Sequence, residues 1–405
     1  MVLVTKNRRI LKDSHISLSN FISRRQNLQP TYNSGTLIQF YGMFDSYISI
    51  ANICSQFGRV LTEKFDGVKL CNYTGGDRFV NSELKKYSGR QDNAPIGIFY
   101  GFPNDTYPAM SRHKYKIGCY VCETTRIAPN WVAICNTLDY IIVPSEFCKQ
   151  SFKQSGVTTP IDVIPHGIEP EYRSYSDKRR QKPFTFYNTF SVHSFPYRKS
   201  CEELIRVFLK TFKGFEGDAE LILRTQNQGP IIAYQKVHNF DKLIKIEPMI
   251  NLTTEGFARI YSRVHCTVHP SKGEGFGLIP LQSLCCGTPV IAPPVTGMRD
   301  YLTKDNAVLL KTKGLISAES WGSQPGQYYS IDENDLSRCL MYMYENWEKE
   351  FERSQKQCEE IRNKYTWGKS LSGFLSKLEM IKDSLGILFT KKEDKKFFEG
   401  KLLLV

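Results

Sequence analysis

Residues 269–291 read HPSKGEGFGLIPLQSLCCGTPVI, which is a strand exit, a glycine-rich bend, a helix and another strand in one run. A strand that turns through glycines straight into a helix is a unit of a doubly wound parallel sheet. Gly273, Gly275 and Gly277 flank Glu274 and Phe276, so the backbone there can approach a ligand closely. The helix expected from about Leu278 directs its free amides and the positive end of its dipole into the same space, which favours an anion, most simply a phosphate. A carboxylate beside an anion site needs a second reason. Glu274 supplies one if it accepts hydrogen bonds from the hydroxyls of a sugar attached to that phosphate. The plainer alternative is a turn in which the glycines serve geometry alone.

The rest of the chain alternates in the same way. After a polar, basic arm over residues 1–33 come strands at 36–41, 68–72, 96–100, 116–122, 140–143 and 161–164, separated by helix-length segments at 47–60, 129–138 and 145–154. Pro165-His166-Gly167 closes this unit, and the charged stretch 170–183 reads as a linker. A second unit repeats the alternation, with strands at 184–190, 219–225, 243–247, 265–269 and 289–292, helices at 201–212 and 254–263, a turn at Thr296-Gly297, and helices at 333–364 and 369–384. The expected fold class is therefore α/β, two Rossmann-like doubly wound domains facing each other across a cleft. The boundaries are 34–168 for the first domain and 169–369 for the second.

Composition fits that reading. At 405 residues, 41% hydrophobic and 23% charged, the chain is too long for one ordinary core and too apolar to be disordered. No stretch approaches the roughly 18 to 20 apolar residues of a transmembrane span, and the first 28 residues hold no apolar signal core, so a cytoplasmic location is expected, peripheral to a membrane at most. Twelve scattered cysteines suit reduced thiols packed as small hydrophobes; Cys119 and Cys122 form a lone CxxC with no second pair to complete a zinc site. The net charge of +13 implies an anionic partner beyond an ordinary metabolite, such as an acidic glycan, a membrane surface or DNA, unless it is merely a solvated surface. Its densest clusters are Lys6–Lys12, Arg24-Arg25, Arg112–Lys116, Lys178–Lys182 and Lys391–Lys396.

Ligands of doubly wound sheets bind at the carboxyl ends of the strands, so the interdomain cleft is the expected site. Arg198-Lys199, between the first strand and first helix of the second unit, places two cations there as candidate diphosphate neutralisers. Glu123 and Thr124 leave a strand of the first unit toward the same cleft, where they would orient a transferred sugar or an acceptor hydroxyl, although Thr124 or Thr125 would equally serve as a helix cap. Ser145, after a proline and with no histidine partner, reads as a helix cap. His166 reads as structural, and His269 as either a core histidine or a diphosphate contact.

The run Glu274-Gly-Phe-Gly-Leu278, followed by Cys286-Gly287 and Pro289-Val-Ile291, resembles the signature of family 4 of the retaining glycosyltransferases, whose fold is called GT-B. The resemblance covers most of the chain. Glu274 matches the first glutamate of that signature, and Gln282 stands where a second is usual, keeping an acceptor oxygen without the charge. An Arg and a Lys that hold the leaving diphosphate are usually five apart in the family; here they are adjacent, with Ser200 replacing the usual Gly, so Lys199 is the firmer match. Glu123-Thr-Thr-Arg126, Trp131-Val132 and Pro144-Ser-Glu-Phe147 are similar to a series in one branch, with Thr125 in place of Asp. Gly42 resembles the glycine loop that lies over the donor, and the last helix of such proteins returns to the first domain, which here concerns residues from about 370 to 405.

With the amides of Gly275–Leu278, Arg198 and Lys199 available to a diphosphate and no Asp-x-Asp signature at a strand end, metal independence is expected, and the resemblance further implies a retaining glycosyltransferase, a hexosyltransferase by class. It would use no cofactor and would move a sugar from a nucleoside-diphosphate donor to an acceptor hydroxyl on a glycan, a lipid-linked glycan or a protein. Glu274, Lys199, Arg198 and Glu123 would carry the chemistry. Gly42, Gly275, Phe276, Gly277, Leu278 and Gln282 would complete the donor site, with Glu123 and Thr124 on the acceptor side. Two alternatives follow from the charge and the departures: a DNA glycosyltransferase acting on a hydroxylated base, and a nucleotide-sugar-binding module with reduced turnover.

Overall fold

The structure, a computed structural model, describes residues 35–46, 48–73, 78–103, 112–174, 179–190, 197–225, 242–248, 252–318 and 325–386. The basic arm and the clusters at Lys6–Lys12, Arg24-Arg25 and Lys391–Lys396 lie outside these residues.

The first lobe is built on a six-stranded parallel sheet in the order β2-β1-β3-β4-β5-β6. Its strands are β1 (Ile38–Gly42), β2 (Val68–Asn72), β3 (Ile96–Gly101), β4 (Tyr115–Tyr120), β5 (Tyr140–Val143) and β6 (Ile161–Val163). Between them run the helices α1 (Ser49–Lys64), α2 (Pro129–Cys135) and α3 (Glu146–Gln154). Every residue of β1, β3 and β5 is buried, as strands covered on both faces must be.

The second lobe repeats the plan with β7 (Phe184–Phe190), α4 (Cys201–Thr211), β8 (Ala219–Thr225), β9 (Ile244–Pro248), α5 (Thr254–Arg263), β10 (Cys266–Val268), α6 (Leu278–Cys285), β11 (Val290–Ala292) and β12 (Val308–Leu309). Its parallel sheet has the order β12-β11-β10-β7-β8-β9. The strand order reverses between β1 and β3 in the first sheet and between β7 and β10 in the second. Each reversal splays the connections apart and opens a crevice at the carboxyl ends of the strands. This is the two-lobed α/β arrangement expected, with the lobes facing each other across a cleft.

Besides the short edge strand β12, which was not foreseen, three features depart from the sequence reading. A hairpin of β13 (Thr312–Ser317) and β14 (Gln327–Ile331) follows β12 as a separate two-stranded antiparallel sheet. It was not foreseen, because Thr312–Ser317 is largely exposed and has no alternating apolar face. The single helix expected over 333–364 is two, α7 (Glu333–Glu345) and α8 (Trp347–Lys364), broken at Asn346 with φ −118° and ψ 24°. The strand expected over 116–122 ends at Tyr120, which moves Cys122 into the following loop. All twelve cysteines are free thiols, and all but Cys71 are fully buried.

The last described helix, α9 (Trp367–Ser384), leaves the second lobe and packs on α1 of the first. Trp367, Leu371, Phe374, Leu378 and Ile381 form its buried stripe at helical spacing, and the Phe374 ring lies 6.0 Å from that of Phe57. Among the described residues no helix is long and apolar enough to cross a membrane. Truncating Phe374, which is fully buried, leaves a cavity between α9 and α1. We expect Phe374→Ala to cost about 3 to 5 kcal/mol in urea denaturation; a loss below about 1 kcal/mol would mean that α9 does not dock there.

Candidate functional site

The reversal between β7 and β10 puts two loops side by side. Tyr197–Ser200 turns from the β7 side into α4, and His269–Gly277 turns from β10 into α6. Ser200, fully buried, occupies the left-handed region at φ 53° as the residue before α4, a conformation that glycine adopts freely. The turn it makes brings the side chains of Arg198 and Lys199 to the β10 loop. The loops are also stitched through their backbones, since the Lys272 amide donates to the Arg198 carbonyl at 2.8 Å. The Lys272 ammonium donates to the Tyr197 carbonyl at 2.9 Å and pairs with Glu203 of α4.

Four side chains converge there. Glu274 accepts from Lys199 Nζ, from Arg198 Nη1 at 3.2 Å and from His269 Nε2 at 3.0 Å. Arg198 also donates through Nη1 to the Gly273 carbonyl at 2.6 Å, and its Nη2 forms an ion pair with Glu123 Oε1 at 2.8 Å, so the first lobe contributes a second carboxylate. Arg198, Lys199, His269 and Glu274 are buried, while the Glu123 side chain keeps 35% of its surface exposed. Burial alone would raise the Glu274 carboxyl; Lys199 and Arg198, with His269, override it and hold it well below the usual carboxylate range. Burial and the adjacent Arg198 lower the Lys199 ammonium against the pull of Glu274. Burial also lowers His269, so its neutral ring donates through Nε2, and its buried Nδ1 has no partner.

The glycines have a purpose that the sequence alone did not show. A Cβ on Gly275 would lie 1.9 Å from Val121 Cγ2, and one on Gly273 would lie 2.3 Å from the Glu123 carbonyl oxygen. Both positions admit the first lobe. Ser145 caps α3 by accepting from the Cys148 amide at 3.2 Å, and it also donates to the Gly275 carbonyl at 2.6 Å across the lobe boundary. On the other side of the bend, the β14 residue Gln327 pairs with Thr125, its amide donating to Thr125 Oγ1 at 3.0 Å and its carbonyl accepting from the Thr125 amide at 3.3 Å.

The remaining sequence candidates fall into place as follows. Phe276 is buried, with its ring 5.1 Å from His166, 5.6 Å from Tyr301 and 6.0 Å from Tyr365. Gly277, at φ 92°, precedes Leu278 at the start of α6. Gln282 Oε1 accepts from the Tyr261 hydroxyl of α5 at 3.1 Å. Thr124 is fully buried, and its hydroxyl donates to the Arg126 carbonyl at 2.7 Å. Neither Thr124 nor Thr125 caps α2, whose preceding residue is Ala128; Glu123 is the member of this pair at the cleft. Gly42 packs on α1, where a Cβ would come within 2.9 Å of Cys54 Sγ. His166 accepts or donates with the Tyr100 hydroxyl at 2.8 Å, and burial pulls its ring down to about 3, so it stays neutral. Among the described residues no group of three or more His, Cys, Asp or Glu side chains is arranged to hold a metal ion.

The fold is GT-B, the two-lobed arrangement of many glycosyltransferases. Residues 189–319, which carry Arg198, Lys199, His269 and Glu274, match the family described as glycosyl transferases group 1. A curated relative, putative glycosyltransferase 45 of Sulfolobus islandicus filamentous virus, is 22% identical over 312 residues, 71% of this chain and 82% of the relative. Among solved structures, Anabaena Alr3699/HepE in complex with UDP and glucose superposes with a TM-score of 0.63 at 12% identity, covering 85% of this chain and all of the other. TarM, of which the S. aureus mutant was crystallised with UDP, superposes with a TM-score of 0.55 at 17% identity, covering 71% of this chain and 55% of TarM. The chain thus spans little more than half of TarM's length.

Two outcomes are expected from this geometry. Gly275→Ala should prevent the lobes from docking, seen as a larger radius of gyration in small-angle scattering; an unchanged radius would contradict the tight contact with Val121. Glu274→Gln strips the buried cations of their main counterion and should cost about 3 to 5 kcal/mol at pH 7. The folded-state value of Glu274 lies below the unfolded one, so its contribution is complete above about pH 4.3 and fades as pH falls through the folded value. The stability gap between wild type and variant, measured by denaturant titration, should therefore narrow on acidification.

Proposed function

We propose that this chain is a retaining, metal-independent glycosyltransferase of family 4 that moves a hexosyl group from a nucleoside-diphosphate donor to an acceptor hydroxyl. The observation that carries the reading is the convergence of Arg198 and Lys199 on Glu274 at the strand-order reversal of the second lobe, within the stretch that matches the group 1 family. Two buried cations at that position, without a metal cluster beside them among the described residues, suit a diphosphate. Uridine diphosphate is the donor nucleotide to try first, because both fold relatives described above were crystallised with it.

In this reading the diphosphate replaces Glu274 and Glu123 as counterion to Arg198 and Lys199. The freed Glu274 carboxylate then accepts hydrogen bonds from sugar hydroxyls, with His269 holding its orientation. The bond from the anomeric carbon to the phosphate oxygen breaks, and its electron pair goes to the leaving diphosphate. Arg198 and Lys199 stabilise that growing charge, together with the amides from Gly275 to Leu278 at the start of α6. The acceptor oxygen bonds to the anomeric carbon on the same face, and its proton passes to a phosphate oxygen of the leaving group. Glu123, part-exposed at the cleft, is placed to orient the sugar or the acceptor.

Lys199→Ala is expected to lower kcat for hydrolysis or transfer from UDP-glucose about 10²- to 10³-fold, measured at a temperature where the variant is still folded by circular dichroism. Glu274→Ala should abolish turnover. Tight UDP binding with no turnover across a panel of nucleotide sugars would instead identify a binding module. Retardation of DNA at low salt with a steep salt slope would point to DNA as the acceptor.

A further inference from the structure

We infer that the turn Thr296–Tyr301 is a relay in which Thr296 positions the Glu274 peptide while Arg299 and Asp300 tie the same turn to α3 of the first lobe, so that lobe docking sets the orientation of Glu274. The inference deepens the reading of the Glu274 site proposed above.

Thr296 is fully buried at φ 52°, one of two non-glycine residues with positive φ among the described residues. A β-branched residue holds that conformation at a cost and persists there only where its surroundings fix it. What fixes it is the glycine bend. Thr296 Oγ1 accepts from the Glu274 amide at 2.9 Å and donates to the Val295 carbonyl at 2.8 Å. The Gly297 amide donates to the Glu274 carbonyl at 2.9 Å, so both backbone groups of Glu274 are held by consecutive residues of the turn. Gly297 can be nothing larger, since a Cβ would lie 2.2 Å from the Gly275 carbonyl oxygen. At the far end of the bend the Tyr301 hydroxyl donates to the Gly277 carbonyl. The bend from Glu274 to Gly277 is thus clamped at both ends by one six-residue stretch.

The opposite side of that stretch meets the first lobe. Asp300 Oδ2 accepts from the Glu146 amide at 2.8 Å, in the first turn of α3, where a carboxylate also meets the positive end of the helix dipole. Arg299 Nη2 donates to Gln150 Oε1, one turn further along α3, at 2.7 Å. Ser145, the cap of α3, reaches the Gly275 carbonyl directly. A shift of α3 away from the second lobe therefore pulls on the bend by two routes, through Ser145 and through the turn. Thr296 touches no reacting group in this arrangement; it is a positioning residue.

The test compares Thr296→Val, which removes the hydroxyl and keeps the shape, with Thr296→Ser, which keeps the hydroxyl, and with Asp300→Ala. Thr296→Gly also removes the hydroxyl and at the same time relieves the backbone, so it replaces the valine variant if that one does not fold. Amide hydrogen exchange of peptides spanning 272–279 is read in the whole chain without ligand, and UDP affinity is read by calorimetry. We expect faster exchange in that segment for Thr296→Val, Thr296→Gly and Asp300→Ala, wild-type exchange for Thr296→Ser, and UDP binding weakened about five- to tenfold in the first three. Unchanged exchange in Thr296→Val or Thr296→Gly overturns the clamp, and unchanged exchange in Asp300→Ala overturns the relay. Altered exchange with unaltered UDP affinity overturns the link to the donor. If the wild type binds no UDP, the functional reading fails, while the exchange data still decide the relay by themselves.

Discussion

A buried carboxylate shared by three partners organises this molecule. Glu274 gathers Lys199, Arg198 and His269 around one oxygen, and Arg198 extends the group to Glu123 of the other lobe. None of these charges could remain in a protein interior alone, because removing an ion from water costs several kcal/mol even after relaxation. They are stable as a set. The set needs two loops that only the strand-order reversal between β7 and β10 brings together, so the electrostatics and the sheet topology depend on each other.

Such a cluster does not maximise stability. Well-packed apolar side chains of similar volume would commonly serve the fold as well or better. Its persistence makes sense if the cations are required for a ligand, with Glu274 and Glu123 neutralising them until one arrives. The polar atoms left without partners nearby, Arg198 Nε, Ser200 Oγ and His269 Nδ1, point the same way, since buried donors and acceptors are ordinarily paired. The lobe contact is equally local. Glycines at 273 and 275 let the backbone of the bend touch the loop that follows β4, and the β13–β14 hairpin brackets it from the other side.

Much of the fold was legible from residue patterns because buried strands and one-sided helices leave short apolar patterns at their own periods, bounded by turn residues. Val68–Asn72, Tyr140–Val143, Phe184–Phe190, Ala219–Thr225 and the helix Thr254–Arg263 fall where the pattern puts them. The hairpin was not legible, since its first strand is largely exposed and has no alternating apolar face. Nor was the break at Asn346, because the apolar spacing continues through it from Met343 to Trp347. At the site, the types of residue were readable: glycines, a glutamate and a pair of cations beside expected strand ends. Thr296 was visible only as a turn residue. Nothing in a sequence reports that its φ is positive or that its hydroxyl meets an amide 22 positions away.

The sequence by itself therefore determined the lobes, the alternation of their elements and the chemistry available at the glycine-rich bend, because these follow from local periodicity and from what each side chain can donate or accept. The tertiary structure alone decided which charges neutralise one another, that Gly273 and Gly275 face the first lobe, and that Thr124 turns inward while Glu123 reaches the cleft. Those outcomes depend on strand order and lobe docking, which bring together residues from 75 to more than 150 positions apart. Contacts at that separation leave no periodic trace in the chain.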